Sequence, residues 1–185
     1  MKAFTKLAHN LLTPVAGALL VFIGCVTPGG SSTAGDDSMM QAFWDYKAAW
    51  NSHNVQDLVA FYGKHGTLNN PGTGKMPPQA TAQWLRGFFT AIPDFHVRVV
   101  SADPISNNML AEQWVISGTW KKPFPGGPLA GKKPTGKSFT VPGATFLKWQ
   151  GDHIVSDTQY YDQMAFLTQI GVLPPPGQSP QASTR

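Results

Sequence analysis

The sequence predicts an α+β domain with helices first and a mainly antiparallel sheet afterwards. Apolar residues recur at helical spacing in three stretches before Pro93, and from Phe95 onward the period changes to two. Turn residues, above all Asn107-Asn108 and Gly151-Asp152, then divide the second half into strands. Runs of helices followed by runs of strands place the helices on one face of the sheet.

Ser38 and Gln41 fit a capping box, after which Met40, Phe43, Trp44, Lys47 and Trp50 follow at helical spacing, the lysine stem being tolerable at the edge of the stripe. Asn51-Ser52-His53-Asn54 breaks that pattern. A second helical stretch carries Val55, Leu58, Val59, Phe61 and Tyr62 and is expected to stop at Gly63 in the C′ position. Lys64 to Met76 reads as loop, with Asn69-Asn70-Pro71-Gly72 as a turn. Pro77-Pro78 seeds a third helix, whose stripe of Trp84, Leu85, Phe88, Phe89 and Ile92 ends at Pro93.

Phe95, Val97 and Val99 then alternate with His96, Arg98 and Val100 in a first strand, which Asp103-Pro104 and Asn107-Asn108 separate from Met109 to Trp120. A long loop, Lys121 to Gly136, leads into Ser138 to Trp149. Gly151-Asp152 turns the chain into His153 to Tyr161, so the last three strands are expected to form an antiparallel meander. Asp162 follows, and then a short apolar helix, Gln163 to Ile170.

The ends of the chain carry different information. Lys2 and Lys6 precede an apolar run from Leu11 to Gly24, the layout of an export signal over residues 1–24 and too short to span a bilayer comfortably. Phe22-Ile23-Gly24-Cys25 resembles a bacterial lipobox, which makes Cys25, the single cysteine, the expected lipidation site and places the protein in the cell envelope, exported and lipid-anchored to a bacterial membrane. Residues 25–37 are expected to be the lipidated cysteine and a flexible tether rich in Gly, Ser and Thr, residues 38–173 the folded domain, and residues 174–185 a disordered tail. Without Lys2 and Lys6, 12 of the 14 basic side chains remain against 10 acidic ones, so the domain is close to neutral. Nothing resembles a nucleic-acid module. Lys121, Lys122, Lys132, Lys133 and Lys137 cluster in one Gly/Pro-rich stretch, read as a solvated hairpin tip or, alternatively, as a surface for anionic lipid or an anionic ligand.

Several segments together resemble one family: Trp50-Asn51-Ser52-His53-Asn54, Ile92-Pro93-Asp94-Phe95, Ser117-Gly118-Thr119-Trp120, Lys133-Pro134-Thr135-Gly136-Lys137, and Tyr160-Tyr161-Asp162-Gln163 through Gln169-Ile170-Gly171. In order and spacing, from about Met39 to Leu173, they are similar to the SnoaL-like polyketide cyclases of the nuclear transport factor two superfamily. The resemblance implies a cone: three N-terminal helices packed on a curved, mainly antiparallel sheet, a short C-terminal helix, and an apolar pocket open at one end. It also implies a homodimer, formed through the exposed sheet face. The same fold serves ester cyclases, isomerases, hydrolases and plain binding domains, so it does not fix the activity.

In cyclases of the family an aspartate after the last strand removes a proton alpha to a carbonyl and starts an aldol ring closure without a cofactor. By position Asp162 matches it. Its two readings stay open at this stage: a proton acceptor in an apolar cavity, where burial raises the pKa of a carboxyl, or an N-cap of the last helix. If the strand is regular, Thr158, Tyr160 and Asp162 share one face, which makes Tyr160 the expected pocket partner. His65 and Asn70 lie in the loop that the fold places at the cavity mouth. Trp84, Trp114 and Trp120 are candidates for a flat aromatic wall or for core, and Glu112, the chain's only glutamate, is a candidate second acid on the parity of Trp114. The family's supporting cavity histidine has no counterpart in Ser138 to Trp149. No metal-ligand spacing appears and no cofactor is expected. The alternative function is a non-catalytic envelope lipoprotein that holds an apolar small molecule or a protein partner.

Overall fold

A computed structural model describes residues 34–175 and residue 177. The expected export signal, Cys25 and the tether as far as residue 33 lie outside the described residues, as do residue 176 and residues 178–185 of the tail.

Helix α1 (Ala34–Ser52) starts four residues before the capping box at Ser38, so the last residues assigned to the tether are helical. Asp37 falls near its start, where the helix dipole favours negative charge. Each residue of the break that follows has a structural job. Asn51 pairs with the backbone of Val97 through both its amide nitrogen (2.9 Å) and its amide oxygen (2.8 Å), tying the end of α1 to the sheet. His53 takes a left-handed backbone (φ 58°), stacks on Phe89, and places Nε2 at 2.8 Å from the carbonyl of Phe95. Asn54 caps α2 (Val55–Ala60) by accepting from the amides of Gln56 and Asp57.

The second helix ends earlier than the apolar spacing suggests. Tyr62 forms a parallel bridge with Ile154, and the amide of Gly63 donates to the carbonyl of Ile154 at 3.1 Å, so the chain after Phe61 extends along the last strand. That pairing is worth more to those backbone groups than another half turn. The expected loop from Lys64 to Met76 holds two three-residue strands, β1 (Leu68–Asn70) and β2 (Gly74–Met76), paired antiparallel around Gly72 and Thr73. Helix α3 (Pro78–Ala91) follows, as the two prolines predict.

Strands β3 (His96–Ser106), β4 (Met109–Thr119), β5 (Ser138–Gln150) and β6 (His153–Tyr161) complete one six-stranded sheet in the order β2-β1-β6-β5-β4-β3. All pairs are antiparallel except β1 with β6, where Leu68 stands beside Asp157. Asp103-Pro104 does not end β3. This is the edge strand of the sheet, where a proline costs no ladder bond on its open side, and the register slips at Val99/Ser101 and Pro104/Ser106. Helix α4 (Gln163–Gln169) closes the chain and is held to β5 by a reciprocal pair, Thr140 N–H to Gln169 Oε1 and Gln169 Nε2 to the carbonyl of Thr140.

The result is the expected α+β architecture, helices on one face of a curved mixed sheet. The core runs through Phe43, Tyr46 and Trp50 of α1, Leu85 and Phe89 of α3, and Leu110, Trp114, Val141, Leu147 and Trp149 of the sheet, all buried. Asp94, in the turn into β3, accepts from the amide of Thr119 at 2.9 Å and pairs with Lys121 at 3.2 Å, which fixes the exit of β4.

Candidate active site

Between the helices and the inner sheet face lies a cavity that opens to solvent. Its walls are mostly apolar and include Trp50 of α1, the stacked pair Trp84 and Phe88 of α3, Phe95, Trp114, and Phe124 of the β4–β5 loop. That loop is drawn over the cavity because Pro125 packs on Gly87, where even a methyl group would come within 2.5 Å of the proline Cγ. Trp114 owes its position to Gly143, its cross-strand partner, since a Cβ there would overlap the indole ring. Its N–H donates to Thr145 Oγ1 at 2.7 Å, so the ring is fixed at both ends.

A polar strip crosses these walls. It consists of Lys47 from α1, Asn70 from β1, Gln159 and Tyr161 from β6, and Gln163 at the start of α4. Asn70 is buried, and its Oδ1 accepts from the amides of Gly72 and Thr73. The turn thus consumes the oxygen, while Nδ2 has no partner among the described residues. Burial raises the pKa of the Tyr161 phenol, keeping it a neutral donor.

Behind the strip sit two buried acids. Asp157 is fully enclosed; its Oδ2 accepts from the hydroxyls of Tyr46 (2.6 Å) and Tyr62 (2.8 Å) and, at 3.4 Å, from the amide of Gln159. Its Oδ1 has no hydrogen-bond partner among the described residues. Burial pushes the Asp157 carboxyl above its ordinary pKa, and the Tyr46 hydrogen bond, the Lys47 charge and the Tyr62 hydrogen bond oppose that shift without cancelling it. Both phenols are held far above their usual range, first by burial and then by the carboxylate beside them, so they remain donors.

Glu112 is the second acid. Lys47 Nζ lies 2.6 Å from its Oε2, an ion pair by distance whose angles depart from those of a hydrogen bond, and Oε1 faces no partner among the described residues. Burial raises the Glu112 pKa; the lysine charge and contact pull it back, and Asp157 adds a smaller upward push. The cluster therefore holds one buried cation against two buried acids, an arrangement that favours one shared proton.

The expected site residues divide between inside and outside. Asn70, Trp84 and Trp114 line the cavity. Glu112 points to the inner face but stands one layer back, behind Lys47. Trp120 is core, with its N–H on the carbonyl of Lys122. Asp162 is exposed and does not line the cavity; its Oδ1 accepts from the amide of Ala165 at 2.8 Å, the helix-cap reading. Tyr160 is likewise 56% exposed, on the outer face, where it meets Phe146 edge-on. The alternation assigned from sequence is correct, but the face that turns inward is the one carrying Asp157, Gln159 and Tyr161. His65 is exposed and outside the cavity, since its segment runs along β6 instead of reaching the mouth. Lys47, Asp157 and Gln159 were not singled out from sequence. Lys47 reads from sequence only as the edge of the α1 stripe, and Asp157 and Gln159 carry no signal beyond their place in the last strand.

The sequence profile of the SnoaL-like polyketide cyclases matches residues 40–170. The chain belongs to this family. No curated protein matches it. Among solved structures, a proposed SnoaL-like polyketide cyclase from Jannaschia sp. CCS1 is similar at 14% identity, with TM-score 0.67, over 79% of this chain and all (100%) of that one. AclR, a proposed hydroxylase from Streptomyces galilaeus, is similar at 16% identity and TM-score 0.64, over 78% of this chain and 86% of its own. A Catenulispora acidiphila protein of ketosteroid isomerase-like fold, solved with trimethylamine, shares 26% identity at TM-score 0.58, over 71% of this chain and 92% of its own. As a SnoaL-like domain the chain is of cyclase or isomerase type, and the likenesses under 25% identity speak for the fold alone.

Proposed function

We propose that this SnoaL-like domain admits a small apolar carbonyl compound to its aromatic cavity and moves a proton at the carbon alpha to that carbonyl, without a cofactor. Such a step begins an aldol ring closure or a double-bond shift. The observation that carries the reading is Asp157: a buried carboxyl with one oxygen held by two phenols and the other unpartnered, joined to the cavity through Gln159. A carboxyl whose pKa is raised by burial is a better base than an exposed one, and fixed donors on Oδ2 leave Oδ1 to take the proton. The 3.4 Å contact to Gln159 is the weakest in the set, and Gln159 itself lines the cavity. Asn70 Nδ2 and Lys47 supply donors for the oxygen on which negative charge develops.

The test is exchange of the α-proton of a polycyclic β-keto ester into D2O, followed by NMR. Wild-type protein is expected to accelerate exchange and Asp157→Asn to lose the acceleration; equal rates in the two would remove Asp157 from the reaction.

A second reading, a non-catalytic binder of an apolar molecule, is favoured by the aromatic walls and by the exposure of Asp162 and His65. It predicts ligand binding with no exchange in the same experiment. In either reading we place the domain in the envelope, tethered by a lipid on Cys25. Cys25→Ser is then expected to abolish labelling of the protein by radioactive palmitate and release it from membranes.

A further inference from the structure

We propose that Lys47 forms a protonated imine with apolar aldehydes and ketones that enter the cavity, with Glu112 as proton acceptor and counter-ion. It rests on the reading above for the carbonyl nature of the ligand, and gives Lys47, there a donor to the carbonyl oxygen, a covalent role with Glu112 as its partner. Lys47 is 7% exposed, is the one charged side chain lining a largely apolar cavity among the described residues, and holds its Nζ 2.6 Å from a carboxylate that is itself buried.

An ammonium is no nucleophile, so the proton must first leave it. Glu112 Oε2, 2.6 Å away, is in place to take it. The amine nitrogen then adds to the carbonyl carbon, giving a carbinolamine. Glu112 returns its proton to the carbinolamine hydroxyl, which leaves as water, and the C=N bond forms with a positive nitrogen. Summed, ammonium plus carbonyl compound gives protonated imine plus water, with the Glu112 carboxylate unchanged.

The surroundings that stabilise the ammonium serve the product equally. The Lys47 nitrogen lies 5.3 Å from the ring centre of Phe43 and 5.1 Å from that of Tyr46, both suited to a cation. The carboxylate of Glu112 remains its counter-charge. A positive C=N group also draws electrons from its alpha carbon more strongly than a neutral carbonyl does. The neighbouring acid Asp157 would then meet a more acidic C–H.

The full-length protein, incubated with one equivalent of benzaldehyde and sodium cyanoborohydride, is expected to carry a benzyl adduct on Lys47, located by peptide mass spectrometry. Because the cavity concentrates the aldehyde beside the amine, labelling there should exceed that of the exposed Lys64, Lys122 and Lys133 by at least about tenfold. Glu112→Gln should slow it by a similar factor. Adducts confined to exposed lysines in the wild-type protein would overturn the proposal without any variant being made. The two readings also fail separately: α-proton exchange without a Lys47 adduct removes the imine alone, whereas the adduct without exchange removes the cyclase-type activity alone.

Discussion

Asp157 and Asp162 lie five residues apart, one inside β6 and one just past its end, and their surroundings are opposite. Asp157 is fully enclosed, held by two tyrosines, with its pKa raised by burial. Asp162 is in water and closes the first turn of α4. Their separation of five positions is odd against a period of two, so one must face in when the other faces out. Which of them faces the cavity is set by the pairing of β6 with β1 and β5, not by nearness to a recognisable motif.

The largest expected effect in that comparison is catalytic. Asp157→Asn, which keeps the shape and an acceptor for both phenols, should lower α-proton exchange by about 10²–10⁴-fold, the usual contribution of a positioned base. The next largest concerns the pair behind the same wall. Glu112→Ala strands the Lys47 charge in a buried site and should cost about 3–5 kcal/mol in urea unfolding, whereas no such loss follows from substitutions at Asp162. Gly143→Ala drives a methyl into the Trp114 ring; it is expected to cost about 1–3 kcal/mol and to weaken ligand binding measured by tryptophan fluorescence. Removing the outer carboxyl, in Asp162→Ala, should cost only about 1 kcal/mol, the value of a helix cap, and leave exchange intact.

The two buried acids, Asp157 and Glu112, couple stability to pH. The folded-state pKa values of Asp157 and Glu112 are raised, so between the ordinary carboxylate range and those raised values the folded protein binds more protons than the unfolded chain. Their contribution to stability is complete below the unfolded pKa and is lost as pH rises through the folded one. Unfolding free energy should therefore fall over that window, and Asp157→Asn should flatten the fall.

Much of the fold was legible because its signals are local. The prolines before α3, Asn107-Asn108 and Gly151-Asp152 act within a few residues, and each element they predict is present. The short strands β1 and β2 were not, because three residues carry no period and the strand that holds β1 in the sheet, β6, lies about ninety residues away. Gly63 misled for the same reason: a glycine after an apolar stretch signals a helix end, but Ile154 captures its amide. At the site, the strand alternation was readable and the inward face was not. Lys47 reads as the edge of an apolar stripe until Glu112 is known to stand opposite it. Asn70, Trp84 and Trp114 were found from the family resemblance and their aromatic or turn chemistry, which does not depend on the sheet's register.

The most direct measurement is α-proton exchange of the β-keto ester by Asp157→Asn and Asp162→Asn side by side, each with its urea-unfolding curve as a control on folding. The structure predicts that the first variant folds and loses exchange while the second keeps wild-type exchange at slightly lower stability. Exchange that survives in folded Asp157→Asn and vanishes in folded Asp162→Asn would show that the solvent-facing carboxyl does the chemistry, and would contradict the account.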